Sequence, residues 1–116
     1  MGVLNVVLLP NAERAVVDDA KVRDYLLSPT HPVGRFKSVF FVALGFSGDH
    51  WEALRDALLE LARTLDATPG QPSPFGSKFE IRATLRAPSG RQADVVTVWM
   101  VSNGQDFAHF ITAHPG

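Results

Sequence analysis

Residues 78–101 read KFEIRATLRAPSGRQADVVTVWMV. Lys78–Arg86 alternates strictly. Phe79, Ile81, Ala83 and Leu85 fall on one side, and Lys78, Glu80, Arg82, Thr84 and Arg86 on the other, the period of a half-buried strand. Pro88-Ser89-Gly90 turns the chain, and Ala93–Val101 is an almost unbroken β-branched and aromatic run of the kind a central strand carries. Asn103-Gly104 follows as the strongest two-residue hairpin signal, and Phe107–Ala113 reads as the next strand. An antiparallel meander over about residues 78–114 is the expectation for the C-terminal half.

Upstream the period lengthens. Asp18 or Asp19 caps a helix that runs to about Leu27, with Val22, Tyr25 and Leu26 as one apolar stripe, and Pro29 ends it. A second helix runs from about Arg35 to Leu44. Its inner stripe is read as Val39, Phe40, Ala43 and Leu44, with Phe36 one turn earlier and Gly45 as C-cap. A third covers about residues 49–64, with Trp51, Leu54, Leu58, Leu61 and Leu65 inward. Residues 66–77, rich in proline and glycine, are expected to be a loop. Val3–Leu9 reads as a strand or ordered arm, and Ala15-Val16-Val17 as a second short strand. The fold class is α+β: two or three N-terminal helices, about 18–66, packed on a three- to four-stranded antiparallel sheet.

The chain of 116 residues reads as one domain over 1–116, with 46% hydrophobic and 20% charged residues, as in ordinary globular proteins. It holds no cysteine, which excludes disulfides, thiolate metal sites and a cysteine nucleophile. There is no leader pattern, and no apolar run reaches the roughly 20 residues of a membrane span, so the expectation is a cytoplasmic protein without a membrane partner. A net charge of −1 argues against a strongly basic nucleic-acid binder, but the charge is segregated. Residues 31–45 carry Arg35 and Lys37 and no acid, and residues 75–93 carry Lys78, Arg82, Arg86 and Arg91 against Glu80. Such segregation makes a local anion site on an acidic protein.

The two prolines and the glycine of Ser28-Pro29-Thr30-His31-Pro32-Val33-Gly34-Arg35 break the helices and project His31, Arg35 and Lys37 from a stiff corner. If Asn103-Gly104 and Ser89-Gly90 are two-residue turns, Arg82 opposes Thr97 and Glu80 opposes Trp99. One sheet face is then Phe79, Ile81, Ala83, Val96, Val98 and Met100, a core. The other carries Lys78, Arg82, Thr97, Trp99, Thr112 and His114. A three-residue first turn would break this arrangement. Cations, hydroxyls, imidazoles and an aromatic suit a phosphodiester with a stacked base. Metal-independent RNA cleavage needs a base at the ribose 2′-hydroxyl, an acid at the leaving oxygen and cations on the phosphorane charge. His31 is read as that base or acid, Lys37 and Arg82 as the phosphate clamp, and Thr97 and Thr112 as positioning hydroxyls. Arg35, Lys78, Trp99 and His114 are read as substrate contacts, Trp99 as the stacking platform. No metal site and no cofactor are expected, since HExxH, the P-loop, GxGxxG and GxSxG are all missing.

The strings KVRDYLLSPTHPVGRFKSVFFVALGF, FGSKFEIRATLRAPSGRQADVVTVWMV and FITAHPG resemble a family of small uncharacterised bacterial domains. Its pattern includes HPxGxxK, TVW and a terminal TAYP. HPxGxxK falls on His31, Pro32, Gly34 and Lys37, TVW on Thr97, Val98 and Trp99, and the terminal element on Thr112, Ala113, His114 and Pro115, with His114 in place of tyrosine. More distantly, such sequences look like the barnase–EndoU–colicin–RelE group of toxin-type ribonucleases. That resemblance implies N-terminal helices on a four-stranded antiparallel sheet whose open face cleaves RNA (tRNA or mRNA), and a neutralising antitoxin or immunity protein as partner. The alternative is a non-catalytic binding module using the same face. In that case His31 and Arg82 lie far apart and Trp99 is covered by a helix.

Overall fold

The computed structural model describes residues 7–116. The strand read over Val3–Leu9 lies largely outside the described residues.

A helical turn at Asp19–Lys21 widens into a π turn over Val22–Leu26, and the two together form α1. Leu27 N–H donates to the Val22 carbonyl five residues back, at 3.0 Å. α2 spans Gly34–Leu44 and α3 spans Glu52–Thr64. Four strands follow in the order β1 Thr68–Ser73, β2 Gly76–Arg86, β3 Gln92–Ser102 and β4 His109–Pro115, all neighbours antiparallel. The fold is α+β, with the helices before the sheet. The fourth strand is β1, from the segment read as loop. Pro69 and Pro72 are tolerated there because β1 is an edge strand. Val16 makes an isolated parallel bridge to His109 at the opposite edge.

The core joins Val22 and Leu26 of α1, Phe41 and Leu44 of α2, and Leu54, Leu58 and Leu61 of α3 to Ile81, Leu85, Val95, Trp99 and Phe110 of the sheet. The buried stripe of α2 differs from the sequence reading. Gly34, Ser38, Phe41 and Leu44 face inward, whereas Phe36 and Val39 are 69% and 71% exposed. Gly34 sets this rotation. A Cβ at Gly34 would collide with the Tyr25 carbonyl, so α1 and α2 approach closely only with the glycine between them. The inward positions then follow from Gly34 by helical spacing.

The sheet register also differs. Pro88-Ser89-Gly90 is a three-residue loop: Gly90 N–H reaches the Ala87 carbonyl and Ala87 N–H the Arg91 carbonyl, each at 2.9 Å, with Gly90 at φ 91°. Phe79 therefore opposes Trp99, Ile81 opposes Thr97, and Arg82 opposes Val96 rather than Thr97. At the second turn Gln105 N–H does bond the Ser102 carbonyl. The chain then leaves the ladder to give the Ala108 carbonyl to Val16 N–H. Pairing resumes two residues late, and a bulge after Trp99 adds a third.

The two odd shifts have opposite consequences. They cancel for the flanking strands, so Lys78, Arg82, Thr112 and His114 share the outer face, in cross-strand rows with Met100, Val96 and Val98. They turn β3 over, so Thr97 and Trp99 enter the core at 0% exposure. The readings of Trp99 as stacking platform and Thr97 as catalytic hydroxyl are corrected here. The indole donates to Thr97 Oγ1 at 2.8 Å, and Thr97 donates to the Ile81 carbonyl at 3.0 Å, so both polar groups are spent inside the core.

Candidate functional site

Three elements meet at β4. Tyr25, inside the π turn of α1, places its hydroxyl 3.1 Å from Thr112 Oγ1. Lys37, one turn into α2, donates from Nζ to the Ala113 carbonyl at 3.1 Å. His31, at the corner between the helices, packs edge-on against the Tyr25 ring with centroids 5.0 Å apart. His114 is exposed on the outer face two residues beyond Thr112. Tyr25 and Lys37 thus meet at Thr112 and Ala113, and His31 stands behind the Tyr25 ring.

The hydrogen bonds fix what each imidazole can do. His31 Nδ1 accepts from Val33 N–H at 3.0 Å and Gly34 N–H at 2.9 Å, capping the first turn of α2. A nitrogen that accepts two donors carries no proton, so in the neutral ring the proton is on Nε2 and His31 presents a donor outward. Acting as a base through Nε2 would require giving up both caps. His114 is the reverse case. Its Nδ1 lies 3.1 Å from the Pro115 carbonyl, which only accepts, so Nδ1 bears the proton and Nε2 is a free acceptor. Of the two, His114 is the base-competent residue.

The electrostatics divide the neighbourhood. A cavity of about 320 Å³ opens beside His31 and Tyr25, lined also by Asp18, Lys21 and Asp24. Arg23 forks onto Asp24 with two bonds of 3.0 Å, and this hydrogen bonding holds the Asp24 carboxyl below the usual carboxylate range. The two carboxylates make this cavity unsuited to a phosphate. Cations gather toward β4 and the outer face, where Lys37 has no carboxylate partner among the described residues and Arg82 shares a cross-strand row with His114, with Glu80 in the neighbouring row of Thr112.

Other expected residues stand apart. Arg35 is exposed with its guanidinium over the Phe36 ring at 4.5 Å. Lys78 is on the outer face opposite Met100. Arg82 lines a cavity of about 450 Å³ with Thr84, Asp94 and Gly116, and His31 is not among that cavity's walls. In the sequence Tyr25 reads only as part of the apolar stripe of α1. Nothing in its spacing signals the hydroxyl contact, which spans 87 residues of sequence. Among the described residues no three His, Asp or Glu side chains group as metal ligands would.

Residues 8–116 match the model of a domain of unknown function, DUF6883, and the chain belongs to that family. No curated protein matches it significantly. Among solved structures, it is similar to a chain of a contact-dependent growth inhibition toxin–immunity protein complex from Klebsiella pneumoniae 342. The TM-score is 0.67 with 18% identity, covering 90% of this chain and 95% of that one. At that identity the likeness shows the fold.

Proposed function

We propose that this member of the DUF6883 family is a small toxin-type endoribonuclease whose centre is the corner where α1 and α2 meet β4. The observation that carries the reading is that Lys37, the Tyr25–Thr112 hydroxyl pair and the His114 acceptor fall on three successive residues of one strand, with His31 packed on the Tyr25 ring. The likeness of the fold to a chain of a toxin–immunity complex supports the toxin class.

In this reading His114 Nε2 takes the ribose 2′-hydroxyl proton as the 2′-oxygen bonds to phosphorus. The bond from phosphorus to the 5′-oxygen breaks, and the Lys37 ammonium, two of whose protons remain free of Ala113, stabilises the phosphorane charge and protonates the leaving oxygen. The products are a 2′,3′-cyclic phosphate and a 5′-hydroxyl, and proton exchange with water resets both groups. The Tyr25–Thr112 pair orients the phosphate as a neutral donor, with His31 bracing the Tyr25 ring, and Arg82 holds a neighbouring phosphate as a bidentate fork. The chemistry uses no cofactor, and its substrates, tRNA or mRNA, place its action in the cytoplasm.

The test is cleavage of tRNA and mRNA by purified protein in EDTA, with end analysis. His114→Ala and Lys37→Ala are each expected to lose about 100-fold or more in rate. Cleavage that survives both places the centre elsewhere. The second reading, a non-catalytic binding module, is favoured by two observations: Trp99 is covered, and Arg82 and His31 line different cavities. Well-folded protein that leaves every RNA intact would decide for it.

A further inference from the structure

The cavity of about 450 Å³ at Arg82 holds groups that the cleavage chemistry leaves unused. Arg82 and His114 share the row of Val96, and the next row pairs Thr84 with Asp94, whose carbonyl takes the Gly116 N–H at 2.8 Å. Two residues along a strand are about 7 Å, so the Asp94 end of the cavity lies one row from His114. Thr84 donates to Asp94 Oδ1 at 2.9 Å and fixes the carboxylate. Arg82 and Asp94 line this one cavity, yet neither forms an ion pair with any described residue. Leu65, 38% exposed, and Ala83 give the cavity an apolar wall. Its volume falls within the roughly 300–1,000 Å³ of small-molecule sites, which join such walls to a few placed polar groups.

We propose that this cavity holds the base of the nucleotide that supplies the 2′-hydroxyl, and that Asp94 selects guanine there. The inference rests on the nuclease reading above and names its substrate. An ionised carboxylate only accepts hydrogen bonds. Thr84 uses one lone pair of Oδ1, which leaves Oδ2 and the rest of Oδ1 unengaged among the described residues. Guanine presents N1–H and an N2 amino proton side by side, a pair of donors matched to two carboxylate oxygens. Adenine and cytosine set one amino donor beside a ring acceptor, and uracil sets its N3–H between two carbonyls. Each of those would aim an acceptor at the carboxylate, which penalises the wrong base. A guanidinium could present the same two donors, but it would face the Arg82 charge across the cavity. A neutral ring with a donor edge meets both conditions.

Titration calorimetry on the full chain compares the 3′-monophosphates of guanosine, inosine and adenosine, and end analysis of cleaved RNA gives the base on each 2′,3′-cyclic phosphate. Guanosine is expected to bind about 10- to 100-fold more tightly than adenosine, with inosine between them because it lacks the N2 amino group. The cyclic phosphate ends should be mainly guanosine. Asp94→Asn keeps an oxygen for the Thr84 proton and should erase both preferences at an unchanged unfolding midpoint. Thr84→Val, which frees the carboxylate to rotate, should reduce them. Nucleotides bound alike, none bound, or a preference that survives Asp94→Asn overturns the proposal. Arginine amide bound through Asp94 in place of the nucleotides overturns it as well. RNA cleaved by the wild type with no base preference sinks the subsite and keeps the nuclease. Guanosine bound selectively by a chain that leaves RNA whole sinks the nuclease reading and keeps the subsite.

Discussion

Thr97 shows how one hydroxyl can be read two ways. In the sequence it is a threonine among valines beside a tryptophan, which suits either a site or a strand. In the fold it takes the Trp99 indole proton and gives its own to Ile81, so it is the polar keystone of an otherwise apolar layer. Thr97→Val keeps the shape but strands a buried indole N–H, and should cost about 1–3 kcal/mol in urea unfolding. RNA cleavage per folded molecule should be unchanged. A variant that is fully stable yet inactive would return Thr97 to the catalytic list. The two histidines separate by the same logic of donors and acceptors. His31→Gln, which removes the ring but keeps polar atoms, should weaken the α2 cap and be read mainly as lost stability, about 1 kcal/mol. His114→Ala should leave the unfolding midpoint in place while abolishing the reaction.

Among the elements, the α1–α2 corner carries the most consequence. A π turn, two prolines and a glycine let two short helices cross at backbone contact, and this brings Tyr25 and Lys37 to β4 together. Gly34→Ala should push α2 off Tyr25, cost about 1–3 kcal/mol by overpacking, and lower cleavage beyond what the lost folded fraction explains. Amide exchange at Leu27 and Ser28 would show the corner loosening. An alanine accepted there without change would mean that the two backbones have room to spare. The hairpin at Pro88-Ser89-Gly90 acts on the sheet as this corner acts on the helices: a single extra residue decides which side of β3 is core.

The whole molecule is slightly acidic, so any attraction for RNA comes from placement of charge and not from its sum. Lys37, Lys78 and Arg82 serve β4 and the outer face, while the acids of α3 lie on the helical side. Binding of single-stranded RNA is expected to fall with salt along a shallow log–log slope. Arg82→Ala should reduce that slope by about 0.7, one phosphate contact, without changing base preference. A slope unaltered by Arg82→Ala would remove the outer face from the nucleic-acid path.

Local order was legible in the sequence: the helical stripe of α3, the alternation of β2, the apolar run of β3 and hence the α+β class, because periodicity is written in neighbouring residues. So was the break between α1 and α2 around His31, since prolines and glycine act on their own backbone. Which face of β3 is core was not legible, because side-chain direction reverses with each residue of a turn and nothing in PSG declares two residues or three. Nor was the partnership of Tyr25 with Thr112 or of Lys37 with Ala113, across 87 and 76 residues. Those contacts depend on how a glycine seats one helix against another, and only the packed chain decides that.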